Sequence, residues 1–525
     1  MKKVFTLLAV LSIAIFSFSQ KKTTTSTSKA VTGKQPINAK QTVTTSKSAT
    51  SKTSNSKKPV ASTKPDNSGE GHNITLTLTP AKNQKAYLAC YYGKGKAIID
   101  SCVLDDKCVG HFKGNEKLIG GIYFVVSQAY SIQFELLIGD VQKFSVVADT
   151  TAKDKFVITG SPDNDLFKVY SKKSTEYGIA LKKIADKLKD AKTKEDTTAI
   201  RKEYKLKNEE LNKYRDELVA QNSNTLLAAL LTTMKIPETP EPKDTSIAAS
   251  NEVYRYVREH YFDDVVFADA RLLRTPFFEP KIDDYFKYYI SIEADSIIPE
   301  VKYMLLSARE SKEMYAYLLT KFTNKYLSPE YMGQDKVFVH LFTDYYLKGD
   351  TVLLDAKSRK TIIDRGYSLM LNPIGGIAGA LDLTDSTGKV ISMYSLKSKY
   401  TVVAYWSPTC GHCRQEMPSL DSMYKAKWKT IDVKVYSIIS KDDELHEMKK
   451  FLKEKNFTKD WYYTYETKEA REATEKAGVP NFRQAYDLNK TPIFYLLDAD
   501  KRILLKNVTI SQMDDFITRR TKAGK

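Results

Sequence analysis

Trp406-Ser407-Pro408-Thr409-Cys410-Gly411-His412-Cys413 decides the reading of this chain. The run before it, Tyr400-Thr401-Val402-Val403-Ala404-Tyr405, is apolar and rich in β-branched and aromatic residues, as a buried strand requires. Arg414 to Tyr424 then carries helical patterning. A strand, a sharp turn and a helix opening on Cys-x-x-Cys place the first sulfur at a helix N-terminus. There, unpaired backbone N–H groups and the helix dipole favour negative charge. Cys410 is therefore expected to be partly thiolate, the form that attacks disulfides. Cys413, one turn further in, is placed to close the ring and release the partner.

Other chemistries use cysteines at short spacing. A zinc site needs two further ligands, but the chain has no second Cys-x-x-Cys and its six His are scattered. A structural staple is poorly served by this spacing at a helix start, which suits redox exchange instead. A peroxidatic cysteine follows a Pro by seven residues and a Thr or Ser by three. Those positions are Val403 and Ser407, so half of that pattern is missing. Dithiol redox chemistry is the reading, with a thiol peroxidase kept as an alternative.

Around the motif, Leu381-Asp382-Leu383 and Gly388-Lys389-Val390 read as a hairpin, and Val433 to Ile439 as the next strand. Asp443 to Lys455 reads as a helix and Thr467 to Ala477 as a helical insertion. Ile493 to Leu497 and Ile503 to Lys506 form a closing hairpin, and Ser511 to Thr518 the last helix. Strands alternating with helices around a short sheet give an α/β domain over 373–525.

At 525 residues the chain is too long for one core. Met1-Lys2-Lys3, the apolar Val4 to Phe16 and the small residues of Ser17-Phe18-Ser19 read as a signal peptide, 1–19, cut before Gln20. The apolar run is short for a membrane span, although an uncleaved anchor is the alternative. The first cysteine is Cys90, so no lipid-attachment cysteine follows the leader. Residues 20–71 are Lys, Ser and Thr with scattered Pro and Gly, a composition expected to stay disordered. The net charge of +18 is concentrated at this end. Residues 1–71 carry twelve Lys against Asp66 and Glu70, which leaves +8 for the remaining 454 residues. The basic excess is a solvated tail, not a nucleic-acid-binding face.

Residues 72–163 change character. Ile74-Thr75-Leu76-Thr77-Leu78 alternates with period two, and further strands fit 86–92, 97–104, 108–114, 120–127, 132–138, 141–148 and 153–158. The expectation is a small antiparallel β-domain. Residues 164–372 read as helices, with a proline-marked linker at Pro237, Pro240 and Pro242. The stretches around His260-Tyr261-Phe262-Asp263-Asp264 and Arg271 to Pro276 match no metal or nucleophile spacing and read as structural, as does His340 in an apolar helical run. Cys102 and Cys108 flank Asp105-Asp106 and are expected to face each other across a hairpin, as a possible disulfide. Cys90 is left over and reads as a buried strand residue.

The segment 375–525 resembles the exported TlpA/ResA-type thiol–disulfide oxidoreductases of the thioredoxin superfamily. The likeness rests on Asp385-Ser386-Thr387-Gly388-Lys389, Trp406, Cys410-x-x-Cys413, Arg414-Gln415-Glu416-Met417-Pro418 and Thr491-Pro492-Ile493-Phe494. It implies a cis peptide at Pro492 facing the sulfurs, and a Thr491 backbone open to an incoming peptide. It also implies Glu416 as the acid that passes protons to Cys413, and Trp406 with Thr491 at the substrate-binding surface. The chain departs from thioredoxin itself in two places. Ala404 stands where thioredoxin has its buried acid, and Thr409 where it has a tryptophan. Gly411-His412 is similar to protein disulfide isomerase, whose couple is more oxidising than thioredoxin's, and His412 is expected to set the poise.

The expected function is exchange of disulfides with envelope proteins in the periplasm, with a membrane or periplasmic redox partner. No metal or organic cofactor and no nucleic acid are implied. The alternative from another class is a cell-envelope binding or scaffold protein with an accessory thioredoxin domain.

Overall fold

The computed structural model describes residues 71–151, 156–350 and 355–523. The expected signal peptide, and the linker up to residue 70, lie outside them. The chain forms two compact units: one reaches to Pro237 and adds Phe262–Val265 and Arg271–Ile282, and the other holds the rest. The helical stretch of the sequence is thus shared between them.

The first unit begins with β1 (Asn73–Thr79), β2 (Lys85–Tyr92), β3 (Gly95–Val103), β4 (Val109–Lys113), β5 (Gly121–Val126), β6 (Ile132–Ile138), β7 (Lys143–Asp149) and β8 (Phe156–Thr159). They form two four-stranded sheets, β4-β1-β7-β8 and β3-β2-β5-β6. Alternate residues of both sheets, such as Ile74, Leu76 and Leu78 against Ala86, Leu88 and Cys90, share one core. The expected antiparallel pairing holds in every ladder but one, because β1 and β7 run parallel. β3 and β4 lie in different sheets, so the turn between them is not a hairpin. The Cys102–Cys108 bridge expected across it is not formed, and both are free thiols. Cys90 is fully buried, as expected. The helices α1 (Pro162–Asp186), α2 (Lys194–Gln221) and α3 (Leu226–Thr233) follow.

The second unit contains α4 (Ile247–His260), most of α5 (Phe278–Tyr288), α6 (Ala294–Ser307), α7 (Lys312–Leu327), α8 (Asp335–Asp344) and α9 (Ala356–Leu371). His340 lies on α8 beside Asp344, with Nδ1 to Oδ2 at 3.3 Å. The α/β domain follows. Its strands are β9 (Asp382–Asp385), β10 (Val390–Ser392), β11 (Tyr400–Trp406), β12 (Val433–Ile439), β13 (Tyr462–Tyr465), β14 (Ile493–Leu497) and β15 (Ile503–Lys506). Its helices are α10 (Gly411–Ala426), α11 (Leu445–Glu454), α12 (Lys468–Ala477), α13 (Phe482–Ala485) and α14 (Ile510–Ala523).

The seven strands form one sheet in the order β10-β9-β13-β12-β11-β14-β15. β11 pairs parallel with β12 and antiparallel with β14, so it is covered along both edges. All seven of its residues are buried. Val402, Ala404 and Trp406 pack on one face with α10 and α14, and Val403 and Tyr405 on the other. A strand buried on both faces explains why its sequence is a continuous apolar run. The end of β11 delivers the chain into the Cys-x-x-Cys turn.

Candidate active site

Cys410 is the N-cap of α10, in extended conformation, and Gly411 is the first helical residue. The backbone N–H groups of Cys413 and His412 converge on its sulfur. They hold the Cys410 thiol below the usual range, with the Cys413 amide the largest contributor. This is the helix-terminus effect expressed through particular donors. Cys413 differs sharply. It is wholly buried in the core beneath the motif, and burial pushes its thiol up to about 11. The Ser407 amide donates to its sulfur at 3.4 Å.

Across the sulfurs lies the loop before β14. The Thr491–Pro492 bond is cis, and the Cys410 thiol donates to the Thr491 carbonyl oxygen at 3.7 Å. Behind the turn lies a carboxylate. Glu444, at the entry to α11 and buried, accepts from Ser407 Oγ at 2.9 Å and Thr409 Oγ1 at 2.7 Å. Its other oxygen accepts from Ser440 Oγ at 3.1 Å. Arg414 donates to the Pro408 carbonyl at 3.2 Å, with its guanidinium over the Phe451 ring. The Cys-x-x-Cys turn is thus tied down on three sides. One thiol is left open to partners and the other is sealed.

Comparison with known proteins bears on this site. The AhpC/TSA family matches residues 374–505, and a domain of unknown function, DUF5106, matches 191–362. The thiol–disulfide oxidoreductase ResA of Bacillus cereus is 24% identical over 151 residues, 28% of this chain and 79% of its own. ResA of Bacillus thuringiensis is 23% identical over the same length. The C-terminal domain is similar to ResA and has a thioredoxin-like fold. Among solved structures, a thioredoxin-like protein from Bacteroides caccae is 21% identical, covering 54% of this chain and 99% of its own, with a TM-score of 0.41. A thiol:disulfide interchange protein from a Bacteroides species is 23% identical, covering 29% and 91%, with a TM-score of 0.24.

Within this ResA-like domain the residues singled out from the sequence fall into distinct places. Cys410, Cys413, Thr491 and Pro492 come together. His412 is exposed on the first turn of α10. Glu416 lies half-buried one turn past Cys413, while the carboxylate bonded into the motif's own hydroxyls is that of Glu444. Trp406 is fully buried, with its indole N–H donating to Ser437 Oγ on β12 at 2.8 Å. A side chain sealed between β11 and α11 touches no substrate. Its expected place at the substrate-binding surface is therefore corrected to that of a support beneath the turn. Glu444 escaped sequence reading because an acid opening a helix reads as an ordinary cap. The two hydroxyls of Ser407-Pro408-Thr409 were the available hint that a buried acceptor lies behind the turn.

Proposed function

We propose that this protein is an exported thiol–disulfide oxidoreductase that exchanges disulfides with proteins of the cell envelope through Cys410 and Cys413. The observation that carries the reading is the contrast between the two thiols. One is accessible, at a helix N-terminus and lowered in pKa; the other is buried and raised to about 11. That is the division of labour an attacking and a resolving cysteine need.

In the reducing direction the Cys410 thiolate attacks one sulfur of a partner disulfide. The partner's S–S bond breaks, a mixed disulfide forms, and the released thiolate takes up a proton. Cys413 then loses its proton and attacks the Cys410 sulfur, and the second partner thiol leaves. Two electrons have passed to the partner, and Cys410 and Cys413 are left as a disulfide. Run backwards, the same steps oxidise a dithiol. The Thr491 backbone beside Cys410 is where a partner's extended chain would pair. The leader-like start of the sequence supports export, and the family supports protein thiols as substrates.

The test is turnover of a disulfide-linked peptide by the reduced protein, beside Cys410→Ser and Cys413→Ser. The first variant is expected to be inactive and the second to stop as a one-to-one mixed disulfide. Consumption of hydrogen peroxide in preference to the peptide disulfide would overturn the reading in favour of a thiol peroxidase. Turnover of neither would favour a scaffold.

A further inference from the structure

The loop that brings Thr491 to Cys410 is held from outside the thioredoxin-like fold. Arg365, on α9, sits against Asp487: Nε lies 2.7 Å from Oδ1, and Nη2 donates to Oδ2 at 2.9 Å. Nη2 also donates to the Leu327 carbonyl at the end of α7, at 3.0 Å. The guanidinium therefore joins two helices of the preceding region to one carboxylate of the loop. Both side chains are largely covered, at 23% and 15% exposure, where a pair is weakly screened by solvent. Nη2 carries the directional hydrogen bond to Oδ2, while Nε faces Oδ1 as an ion-pair contact without hydrogen-bond geometry.

Asp487 is four residues before Thr491 and organises the chain between them. It adopts a left-handed conformation with φ 48°. Its carbonyl accepts from the Asn489 amide at 2.9 Å, and its carboxylate from Asn489 Nδ2 at 3.2 Å. Leu488 is buried, and its amide donates to the Arg483 carbonyl. Two further contacts fix α8 and α9 against the domain: Asn372 Nδ2 donates to the Ala485 carbonyl at 3.1 Å, and Lys506 Nζ contacts Asp335 at 2.5 Å. The clamp is thus mounted on a fixed base.

We propose that Arg365 is a positioning residue for the exchange site. Through Asp487 it sets where Thr491 stands relative to Cys410, so part of the helical region shapes the surface that receives the partner's backbone. The inference rests on the oxidoreductase reading above. It assigns a role to helices that the sequence left without one.

The test uses the full chain with Arg365→Gln, Asp487→Asn and the double variant. Two rates are read: exchange with a disulfide-linked peptide, which needs the Thr491 backbone, and alkylation of Cys410 by iodoacetamide, which does not. Misplacement of a reacting partner by about 1 Å costs up to about a hundredfold, so each single variant is expected to lose about tenfold or more in kcat/KM for the peptide, chiefly through KM. Alkylation is expected to fall by no more than about twofold to threefold, because the Cys413 amide, the largest cause of the lowered Cys410 pKa, is untouched and only the lesser Thr491 contact is disturbed. The double variant removes the unpaired charge and is expected to regain thermal stability without regaining exchange. Unchanged peptide exchange in a folded single variant would overturn the clamp, as would exchange that recovers together with stability in the double variant. A wild-type protein that exchanges no peptide disulfide would instead overturn the oxidoreductase reading itself.

Discussion

Glu444 Oε1 accepts a hydrogen bond from Thr409 Oγ1 at 2.7 Å, placing a buried carboxylate one residue behind the attacking cysteine. Thr409 and Ser407 both point into it, and Ser440 holds its other oxygen. Replacing Glu444 with Ala leaves three hydroxyls without their acceptor, at a cost of about 2–4 kcal/mol. Glu444→Gln keeps an acceptor for the motif and should cost about 1 kcal/mol. All three tryptophans, Trp406, Trp428 and Trp461, belong to the thioredoxin-like domain, so denaturant unfolding followed by their fluorescence reads that domain alone. Equal stability of wild type and Glu444→Ala would show that the carboxylate does not hold the turn.

The two thiols should titrate far apart. An ordinary thiol ionises near ~8.5, and Cys410 lies below its usual range because the Cys413 and His412 amides favour its thiolate. Its reactivity with iodoacetamide should therefore reach half-maximum at a lower pH than that of an ordinary thiol. A depressed thiol pKa favours the fold above the unfolded value, and that contribution fades as pH falls through the folded one. Cys413, raised to about 11 chiefly by burial, should stay unlabelled near neutrality even in a Cys410→Ser variant. Preferential labelling of Cys413 in the wild type would reverse the assignment of roles.

His412 acts on Cys410 through two groups, and substitutions can separate them. Its backbone amide is one of the donors that lower the Cys410 pKa, while its exposed imidazole offers positive charge when protonated. His412→Ala removes only the ring; His412→Pro removes the amide hydrogen as well. Both should raise the Cys410 pKa and destabilise the reduced, ionised state, making the couple more reducing. The proline variant should shift the potential by roughly 30 mV or more, about 1.4 kcal/mol. Equilibration against glutathione buffers measures it. A potential unchanged in both variants would mean that His412 has no part in the poise.

Trp406 should matter to stability and little to chemistry. Its indole is fully buried, bonded to Ser437 and packed on Phe451. Trp406→Ala should cost about 3–5 kcal/mol, and Trp406→Phe about 1–2 kcal/mol, since only the N–H bond and part of the volume are lost. Denaturant unfolding followed by the remaining tryptophans checks the stability, and iodoacetamide labelling of Cys410 in Trp406→Phe should match wild type. A large loss of peptide binding in a stable Trp406→Phe protein would return the residue to the substrate surface.

What the sequence made legible here was local. Val402 to Tyr405, the cysteine pair and the Thr491-Pro492 dipeptide each announce themselves within a few residues, because strand burial, helix entry and proline chemistry act at short range. The contacts that escaped reading join distant positions. Glu444 reaches Thr409 across 35 residues and Arg365 reaches Asp487 across 122, and neither pair has a periodicity to betray it. The turn after Cys102 failed for a related reason. Asp105-Asp106 marks a reversal of the chain, but whether the flanking strands pair is decided elsewhere, by β1 taking β4 and β2 taking β3. The parallel β1–β7 ladder is likewise a matter of topology that alternation cannot encode.

The burial of Cys413 directly beneath Cys410 also bears on oxidative injury. An oxidant arriving from solvent meets Cys410, the more accessible of the two thiols, first and converts it to the sulfenic acid. A lone sulfenate in that position is open to further, irreversible oxidation. Here the second thiol lies one turn further along the same helix and in the core beneath, and condensation expels water to give the disulfide. The arrangement returns a damaging event to the protein's ordinary oxidised form, so long as Cys413 stays shielded and reduced.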